Sequence, residues 1–268
     1  MSKNKKLKFG LFITARTSST RLPQKMLLPI QGRKVIEHDI DRAKLAKKID
    51  LIVLCTSDCS EDNILEEIAR KEKIESYRGP LQDKFVRWLG AAEKFKIDYL
   101  INFDGDDLFC DPELIDLAVE QIISNPCDYI KAPEGLVCGS FTKGISRSAI
   151  KKACEIKGMH TGDQMSKYFT ETGLFDIRDL FVENSIYYNK NIRMTLDYPE
   201  DLDFFKTIFN ELGTDRNLTP TKEIIELIEK KPELADINFF RQKDFLGNQK
   251  NKADLAVENI KTRGLWKK

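Results

Sequence analysis

The sequence predicts an α/β protein organised around a doubly wound, mostly parallel sheet. Three apolar runs, at residues 9–13, 51–55 and 99–103, are each bounded by polar residues, as buried parallel strands commonly are. Segments with one apolar face at helical spacing lie between them. Because parallel strands need long crossover connections, this alternation over the first half of the chain indicates a parallel sheet covered by helices.

The helices of this first half are predicted from apolar spacing and from their start signals. Ile36, Ile40 and Ala43 share one face of a helix, and Asp111-Pro112 supplies an N-cap followed by proline at the first helical position. In chain order, the predicted elements are strand 9–13, helix 35–46, strand 51–55, helices 62–72 and 83–95, strand 99–103 and helix 113–123.

Beyond Pro126 the pattern is weaker and the predicted elements are shorter. They are strand 127–131, helix 146–156, strands 186–188 and 192–196, and helix 199–212. A polar stretch, 213–219, then precedes a lysine-rich region in which Ile224, Ile225 and Leu227 form one amphipathic stripe. We therefore predict an α/β domain over residues 1–212 and a helical C-terminal extension over residues 213–268.

The composition excludes several classes of partner. The 268 residues include 44 Lys and Arg against 43 Asp and Glu, a formal net charge of +1, so no overall field attracts nucleic acid. No apolar run approaches the roughly 20 residues of a membrane span, and the first strand is too short for a signal-peptide core. We expect a cytoplasmic protein with no membrane and no nucleic-acid partner. Its six cysteines, none in a C-x-x-C pair, are expected to be free thiols.

The loop after the first strand combines cations with hydroxyl groups. Arg16, Arg21 and Lys25 surround a Thr-Ser-Ser-Thr run at residues 17–20, and no acidic residue precedes Glu37. Such a loop suits a polyphosphate, because backbone N–H groups and hydroxyls contact its oxygens while Arg and Lys offset its charge. A solvated basic loop without a ligand is the alternative.

Two groups of carboxylates follow apolar strands. Asp104, Asp106 and Asp107 come directly after strand 99–103, and Asp197 follows the predicted strand 192–196. Ligands of open α/β sheets bind beyond the carboxyl ends of the strands, and clustered carboxylates there suit Mg²⁺. The alternatives without a ligand are an aspartate-rich turn and, at Asp197, a helix N-cap.

Three motifs resemble those of the cytidylyltransferases that activate sugars, including the spore-coat polysaccharide branch and CMP-3-deoxy-manno-octulosonate synthetase. The first is A-R-x-x-S-T-R-L-P-x-K at residues 15–25. The second pairs Gly105-Asp106 with Asp111-Pro112, and the third is R-x-T-x-D-x-P-E-D at residues 193–201. The resemblance extends over about residues 9–205. Ser18, where the family usually has glycine, and Asp104, where it often has Gln or Thr, depart from the pattern.

This resemblance implies a Rossmann-like fold of the nucleotide-diphospho-sugar transferase type. It further implies CTP as the nucleotide, Mg²⁺ as the cofactor, a sugar acid or a sugar or polyol phosphate as the acceptor, and a homodimer. Carried over position by position, it implies catalytic roles for Arg16, Lys25 and Asp106 and metal binding by Asp106 and Asp197. The nucleotide-binding residues that it implies are Ala15, Arg16, Thr17, Ser18, Arg21, Lys25, Thr56, Ser57, Gly79, Asp83 and Asp104.

Candidates for the acceptor side come from the middle of the chain. His160 lies in a stretch that loosely resembles a histidine-containing segment of the family. Lys143, Arg147 and Lys167 could meet a carboxylate or a phosphate on the acceptor. A structural histidine and ordinary surface charge are the alternatives.

The function predicted from these residues is transfer of CMP from CTP to the acceptor with release of pyrophosphate, for surface polysaccharide or glycoconjugate synthesis. A metal-dependent glycosyltransferase that uses Asp104-x-Asp106 is one alternative, although such an enzyme has no need of R-L-P-x-K after the first strand. A non-catalytic nucleotide-binding paralogue is the other. A dinucleotide dehydrogenase is disfavoured because no G-x-G-x-x-G follows the first strand.

Overall fold

Seven strands form the central sheet of the computed structural model, which describes residues 6–158 and 166–267. Two further strands, β2 and β3, form a separate hairpin. The strands of the described residues are β1 Phe9–Thr14, β2 Pro29–Ile30, β3 Arg33–Lys34, β4 Leu51–Ser57, β5 Glu75–Gly79, β6 Tyr99–Asp104, β7 Tyr129–Lys131, β8 Lys143–Ser146 and β9 Ile177–Asp179.

Helices cover both faces of the sheet. In the same two stretches of chain they are α1 Val35–Ala43, α2 Asn63–Lys71, α3 Lys84–Lys94, α4 Pro112–Ser124, α5 Arg147–Lys157, α6 Ser166–Thr170, α7 Pro199–Leu212, α8 Thr221–Lys230, α9 Glu233–Asp236 and α10 Gln242–Thr262. None of the helices described here is both long and apolar enough to span a membrane.

The strand order of the sheet is β5-β4-β1-β6-β8-β7-β9. β1 pairs in parallel with β4 and β6, and β4 pairs in parallel with β5. β8 runs antiparallel to β6 and β7, and β9 is parallel to β7. The α/β class and the mostly parallel sheet are therefore confirmed, and the loops after β1, β4 and β6 leave the sheet at one edge.

Two of the predicted strands are wrong, and the prediction lacks three strands of the seven-stranded sheet as well as the short hairpin strands β2 and β3. Residues 186–188 fall largely in a 3₁₀ turn, Ser185–Tyr187, and residues 192–196 make only an isolated bridge between Arg193 and Cys138. The backbone of this second segment bonds to loops instead, as where the Met194 N–H donates to the Cys138 carbonyl at 2.9 Å. The missing strands β5, β8 and β9 show neither an apolar run nor a clear alternation, so the sequence pattern carries no signal for them.

The sheet separates two apolar clusters, and the C-terminal extension contributes to both. The larger cluster includes Ile224 and Ile225 of α8, and the smaller one includes Ala256 and Ile260 of α10 beside the residues of α3. Gly213, at φ 61°, ends α7 in the left-handed conformation that favours glycine. The extension is thus helical and packed on the sheet, whereas its description as a separate unit stays a prediction. All six cysteines are free thiols.

Candidate active site

A cavity of about 720 Å³ opens at the edge of the sheet where β1 and β6 end. This volume lies within the roughly 300–1,000 Å³ typical of small-molecule sites. The walls come from the loop after β1, the turn after β6, the start of α3, the segment before α7 and the first half of α10. The charged residues that line it are Arg16, Arg21, Lys25, Lys84, Arg87, Asp104, Asp106, Asp107, Lys143, Asp197 and Lys252.

The centre of the cavity is an ammonium group shared by two carboxylates. Lys25 Nζ lies 2.9 Å from Asp106 Oδ2 and 3.2 Å from Asp197 Oδ1, and it donates to the Leu196 carbonyl at 2.6 Å. Arg21 also forms an ion pair with Asp197. The two candidate metal ligands therefore meet two of the predicted phosphate-binding cations at one point.

Backbone contacts bring these two carboxylates together. The Leu196 N–H donates to the Asp106 carbonyl at 2.7 Å, so the extended segment before α7 lies against the turn after β6. Within that turn, a Cβ added at Gly105 would lie 3.0 Å from the Thr14 carbonyl oxygen. Only glycine allows the turn to approach the end of β1 this closely without displacement.

Asp197 is directed to the cavity and does not cap the following helix. α7 begins at Pro199, with Tyr198 as its N-cap residue. The Asp201 carboxylate accepts the N–H groups of Asp197 and Tyr198 at 2.8 and 2.9 Å. The Arg193 guanidinium bonds to both oxygens of the same carboxylate, at 2.9 and 3.0 Å. Because this buried pair satisfies the start of the helix, the Asp197 carboxylate is left to the cations of the cavity, and the N-cap alternative is wrong.

The charges at this centre stabilise one another. Burial acts to raise the pKa of Asp197, but Lys25 and Arg21 outweigh it and hold this pKa below its ordinary value. Burial acts to lower the pKa of Lys25, but Asp106 and Asp197 outweigh it and leave this pKa raised. Asp107 differs, because burial and the neighbouring Asp106 raise its pKa well above the usual range. The cavity thus holds Lys25 and Asp197 in their charged forms beside a carboxyl group that favours its proton.

A buried carboxylate behind the cavity, Asp62, holds the cationic loop. One of its oxygens accepts the Thr17 N–H at 2.8 Å and the Thr17 hydroxyl at 2.7 Å. The other accepts the Thr56 hydroxyl at 3.0 Å, the Ser57 N–H at 3.1 Å and the Ser57 hydroxyl. Burial acts to raise the pKa of Asp62, but the hydrogen bonds from Ser57 and Thr17 outweigh it and leave this pKa lowered. Thr17, Thr56 and Ser57 do not line the cavity; their observed contacts hold the loop, and a role for them toward a nucleotide stays a prediction.

The other predicted nucleotide-binding residues divide in the same way. Ala15 and Ser18 line the cavity, whereas Gly79 and Asp83 do not. Gly79 ends β5. Asp83 is the N-cap of α3, where it accepts the Val86 N–H at 3.1 Å, and it forms an ion pair with Lys157 at 2.5 Å. The observed contacts of Asp83 are therefore those of a helix cap.

Asp104 has a counterion that the sequence analysis does not include. Lys84 Nζ lies 2.6 Å from one Asp104 oxygen, and Asn102 Nδ2 donates to the other at 2.8 Å. Burial acts to raise the pKa of Asp104, but Lys84 and Lys143 outweigh it and lower this pKa to about 2. Asp104 is therefore ionised and already neutralised from α3, so it does not depend on Arg16 or a metal for its charge balance.

The structure separates the candidates for the acceptor side. Lys143 lines the cavity, whereas Lys167 forms an ion pair with Glu171 at 2.9 Å. Arg147 follows β8, which runs antiparallel to β6, and its backbone N–H donates to the Asp98 carbonyl at 2.8 Å. This reversal carries Arg147 to the opposite edge of the sheet, so its assignment to the acceptor is corrected. His160 lies outside the described residues.

Several residues of the cavity wall are absent from the sequence analysis. Lys84 is one of them and comes from α3. The positions of α10 recur every three or four residues, as one face of a helix does, but spacing alone does not indicate what such a face covers. The α10 residues that line the cavity are Gln242, Phe245, Leu246, Gln249 and Lys252.

Comparisons with known proteins give concordant matches. A family model described as cytidylyltransferase matches residues 11–250. A spore coat polysaccharide biosynthesis protein of Bacillus subtilis is 27% identical over 235 residues, which cover 83% of this chain and 95% of the relative. An 8-amino-3,8-dideoxy-manno-octulosonate cytidylyltransferase of Shewanella frigidimarina is 34% identical over 180 residues, which cover 62% of this chain and 66% of the relative. The solved structure of a cytidylyltransferase from Leptospira borgpetersenii is similar with a TM-score of 0.78 at 24% identity, over 86% of this chain and 97% of that chain.

Proposed function

Because the chain belongs to the cytidylyltransferase family and is thereby a nucleotidyltransferase, we propose that it transfers CMP from CTP to a small anionic sugar acceptor for polysaccharide or glycoconjugate synthesis. The observation that carries the proposal is the meeting of Arg21, Lys25, Asp106 and Asp197 in one cavity. The relatives named for spore coat polysaccharide biosynthesis and for an octulosonate substrate support a sugar acid as the acceptor. A sugar or polyol phosphate is the other member of this anionic class.

In the proposed reaction, an acceptor oxygen attacks the α-phosphorus of CTP: the hydroxyl oxygen of a sugar acid, or a phosphate oxygen of a sugar or polyol phosphate. The new P–O bond forms as the bond to the bridging oxygen breaks and pyrophosphate leaves, and where a hydroxyl attacks, its proton passes to solvent. Arg16, Arg21 and Lys25 would bind the phosphate chain and offset its charge, so catalysis consists of orientation and electrostatic stabilisation. No covalent intermediate on the protein is needed.

The residues of the cavity fit a bound Mg²⁺. Asp106 and Asp197 direct carboxylate oxygens to the point that the Lys25 ammonium holds. Mg²⁺ at nucleotide sites is typically bound by one or two carboxylates together with substrate phosphates. We therefore propose Mg²⁺ as the cofactor, which when bound would polarise the α-phosphate and offset the charge of the leaving pyrophosphate.

Lys25 would then change partners when the substrate binds. Its ammonium bonds to Asp106 and Asp197, and under this proposal it would move to the phosphate oxygens, which would leave the two carboxylates to hold Mg²⁺. Binding of Mg²⁺ and binding of CTP are therefore expected to favour each other. The energetic reason is that neither the carboxylates nor the ammonium is left without an opposite charge.

The first experiment measures nucleotide and metal binding by calorimetry, with CTP, UTP, ATP and GTP, each with and without MgCl₂. We expect selective, Mg²⁺-dependent binding of CTP that Asp197→Asn weakens and the exposed control Asp236→Asn leaves unchanged. Pyrophosphate release is then measured with four acceptors: 3-deoxy-manno-octulosonate, 8-amino-3,8-dideoxy-manno-octulosonate, N-acetylneuraminate and ribitol 5-phosphate. Binding of no triphosphate would contradict the proposal, and CTP binding without pyrophosphate release would favour a non-catalytic paralogue.

A homodimer is a further part of this proposal. Phe181, which follows the edge strand β9, is 72% exposed, and Tyr188, whose hydroxyl donates to the neighbouring Val182 carbonyl, is 39% exposed. Exposed aromatic side chains beside an unpaired sheet edge are typical of an interface. Sedimentation equilibrium is expected to give a dimer that Phe181→Ser weakens, and a monomer at all concentrations would contradict this part.

A further inference from the structure

Helix α10 lines the cavity and is anchored at both ends. It contains 21 residues, Gln242–Thr262, and is therefore about 30 Å long. The match to the family model ends at residue 250, within this helix. Its first half lines the cavity, whereas its second half packs in the apolar cluster on the α3 face of the sheet.

The first anchor joins α10 to the segment that carries Asp197. Gln242 Oε1 accepts a hydrogen bond from Arg193 Nη1 at 3.1 Å, and the Phe245 ring lies 4.7 Å from the Arg193 guanidinium carbon. Asn248 Nδ2 donates to the Tyr198 hydroxyl at 3.0 Å. Because Arg193 itself lies 3.6 Å from the Asp197 carboxylate, this end of α10 is positioned next to the centre of the cavity.

The second anchor is mainly apolar and lies in the smaller apolar cluster. Ala256 and Ile260 are fully buried in the cluster with Phe85 and Tyr168. Asn259 Nδ2 also donates to the Tyr168 hydroxyl at 2.8 Å. Because both ends of α10 are held, the residues between them are kept in place at the cavity wall.

The stretch of α10 that follows the first anchor adds an apolar side chain to the cavity. Leu246 lines the cavity with 55% of its surface exposed, and Gln249 and the cation Lys252 line it from the same helix. The loop after β7 lines the same cavity with Leu136 and Val137. These apolar side chains do not suit a triphosphate, whereas they suit the apolar edge of a sugar.

We propose that this face of α10 is the specificity-determining wall of the acceptor subsite, and that the acceptor presents an apolar substituent to Leu246. The substituent would be an acyl group. This inference rests on the proposed function, because it needs a second substrate beside the nucleotide. It adds where that substrate binds and which of its features is selected.

The test compares Leu246→Gln with Leu255→Gln, a matched control on the same helix. Leu255 is 60% exposed and does not line the cavity, so the two variants make the same chemical change at two exposed positions. For each protein, the KM values for N-acetylneuraminate and 3-deoxy-manno-octulosonate are measured through pyrophosphate release, and the Kd for CTP by calorimetry. We expect wild type to prefer the N-acylated acid. Leu246→Gln should raise the KM for N-acetylneuraminate by about tenfold, the loss expected when much of the apolar contact of a leucine side chain is removed.

Leu255→Gln should change neither KM, and both variants should keep the wild-type Kd for CTP. Equal effects of the two variants, a loss of CTP affinity in Leu246→Gln as large as its rise in KM, or a preference of the wild type for 3-deoxy-manno-octulosonate over N-acetylneuraminate would overturn the inference while leaving the proposed function in place. CTP binding by a wild type that uses none of the four acceptors would overturn the acceptor class and the inference together. Absence of CTP binding would remove the proposed function first.

Discussion

Lys25 combines two roles in a single side chain. Its ammonium bonds to Asp106 and Asp197 in the structure, and under the proposed function it binds phosphate oxygens. A substitution there therefore acts on metal binding and on nucleotide binding in opposite directions. Two further carboxylates, Asp62 and Asp39, are buried. Asp62 accepts hydrogen bonds on both oxygens, whereas within the described chain neither oxygen of Asp39 has a hydrogen-bond partner.

Lys25→Met keeps most of the side-chain length and removes its charge. We expect the variant to bind Mg²⁺ alone more tightly than wild type, because two carboxylates lose their counterion. It should bind CTP with Mg²⁺ about 10- to 100-fold more weakly, the loss expected for a hydrogen bond to a charged group. Calorimetric titration with MgCl₂ and then with CTP measures both, and Lys143→Met serves as a cavity cation without contact to either carboxylate. Unchanged Mg²⁺ affinity would show that Lys25 does not compete with the metal.

Asp62→Asn tests whether the buried carboxylate positions the loop. An amide presents N–H groups to donors that need an acceptor, so the hydrogen bonds from Thr17 and Ser57 cannot all be kept. We expect the Kd for CTP to rise roughly tenfold or more, although Asp62 does not itself line the cavity. Asp58→Asn, a change at an exposed position between β4 and α2, close to Asp62 in sequence, should not alter the Kd for CTP. A lowered melting temperature with unchanged CTP affinity would reduce Asp62 to a purely structural role.

Asp39 predicts a pH-dependent stability. It is fully buried in α1, and within the described chain neither carboxylate oxygen has a hydrogen-bond partner. Burial, followed by Asp106 and Asp107, raises its pKa well above the ordinary value. The folded state therefore holds a proton that the unfolded state releases near pH 4, and stability is lost as pH rises from there toward the folded-state pKa.

Asp39→Asn removes this titration without changing the size of the side chain. We expect its free energy of unfolding to exceed that of wild type at pH 8 by more than about 1 kcal/mol, the equivalent of one pKa unit, and to show a smaller gain at pH 5. Urea unfolding at the two pH values measures it. Asp41→Asn should instead lower the free energy of unfolding, since Asp41 is buried and paired with Arg33 and Arg216. A gain for Asp39→Asn that is independent of pH would contradict the assignment.

At the scale of elements, the start of α7 and helix α10 position the Asp197 carboxylate and the side chains of the cavity wall. Asp201 accepts the N–H groups of Asp197 and Tyr198 and pairs with Arg193 on both oxygens. Arg193 in turn contacts Gln242 and Phe245 of α10. The buried Arg193–Asp201 ion pair therefore contacts the start of α7, the Asp197 carboxylate and the first turn of α10.

Asp201→Asn is expected to destabilise the protein by about 3–5 kcal/mol, because it leaves the buried Arg193 without its partner. The neighbouring Glu200→Gln, which breaks a half-buried pair with Arg241 at 2.8 Å, should cost less than about 1 kcal/mol. Urea unfolding monitored by circular dichroism gives both values. Equal costs for the two variants would show that the Arg193–Asp201 pair does not organise the helix start.

At the scale of the whole molecule, the C-terminal extension packs on both faces of the sheet. Residues of α8 join the larger apolar cluster and residues of α10 join the smaller one. A segment divided between two clusters in this way has no core of its own. It should therefore unfold together with the sheet, although its boundary is visible in the sequence as a polar stretch.

The two tryptophans of the chain allow this to be measured directly. Trp88 is buried in α3, and Trp266 packs against the same cluster from the end of the extension. Trp88→Phe keeps only Trp266 and so reports on the extension, whereas Trp266→Phe keeps only Trp88 and so reports on the sheet. We expect each variant to show one fluorescence transition that coincides with its own circular dichroism transition. An earlier transition at Trp266 would identify the extension as an independent unit.

The sequence by itself determined the class of the protein, its three central strands, helix 199–212 and the motifs that enter the cavity. Each has a local signal: an apolar run between polar residues, a proline at the first helical position with a glycine at the end, or cations and carboxylates that follow a strand. Local signals suffice because strand and helix formation depends on neighbours in sequence.

The tertiary structure decided which of these residues share a site. Asp106 and Asp197 meet because the Leu196 N–H bonds to the Asp106 carbonyl, and Lys84 neutralises Asp104 from another element. The reversal of β8 removes Arg147 from the cavity, and the anchors of α10 bring Leu246 into it. These contacts join residues that are far apart in sequence. Their energy comes from packing and charge in three dimensions, which leaves no periodic pattern along the chain.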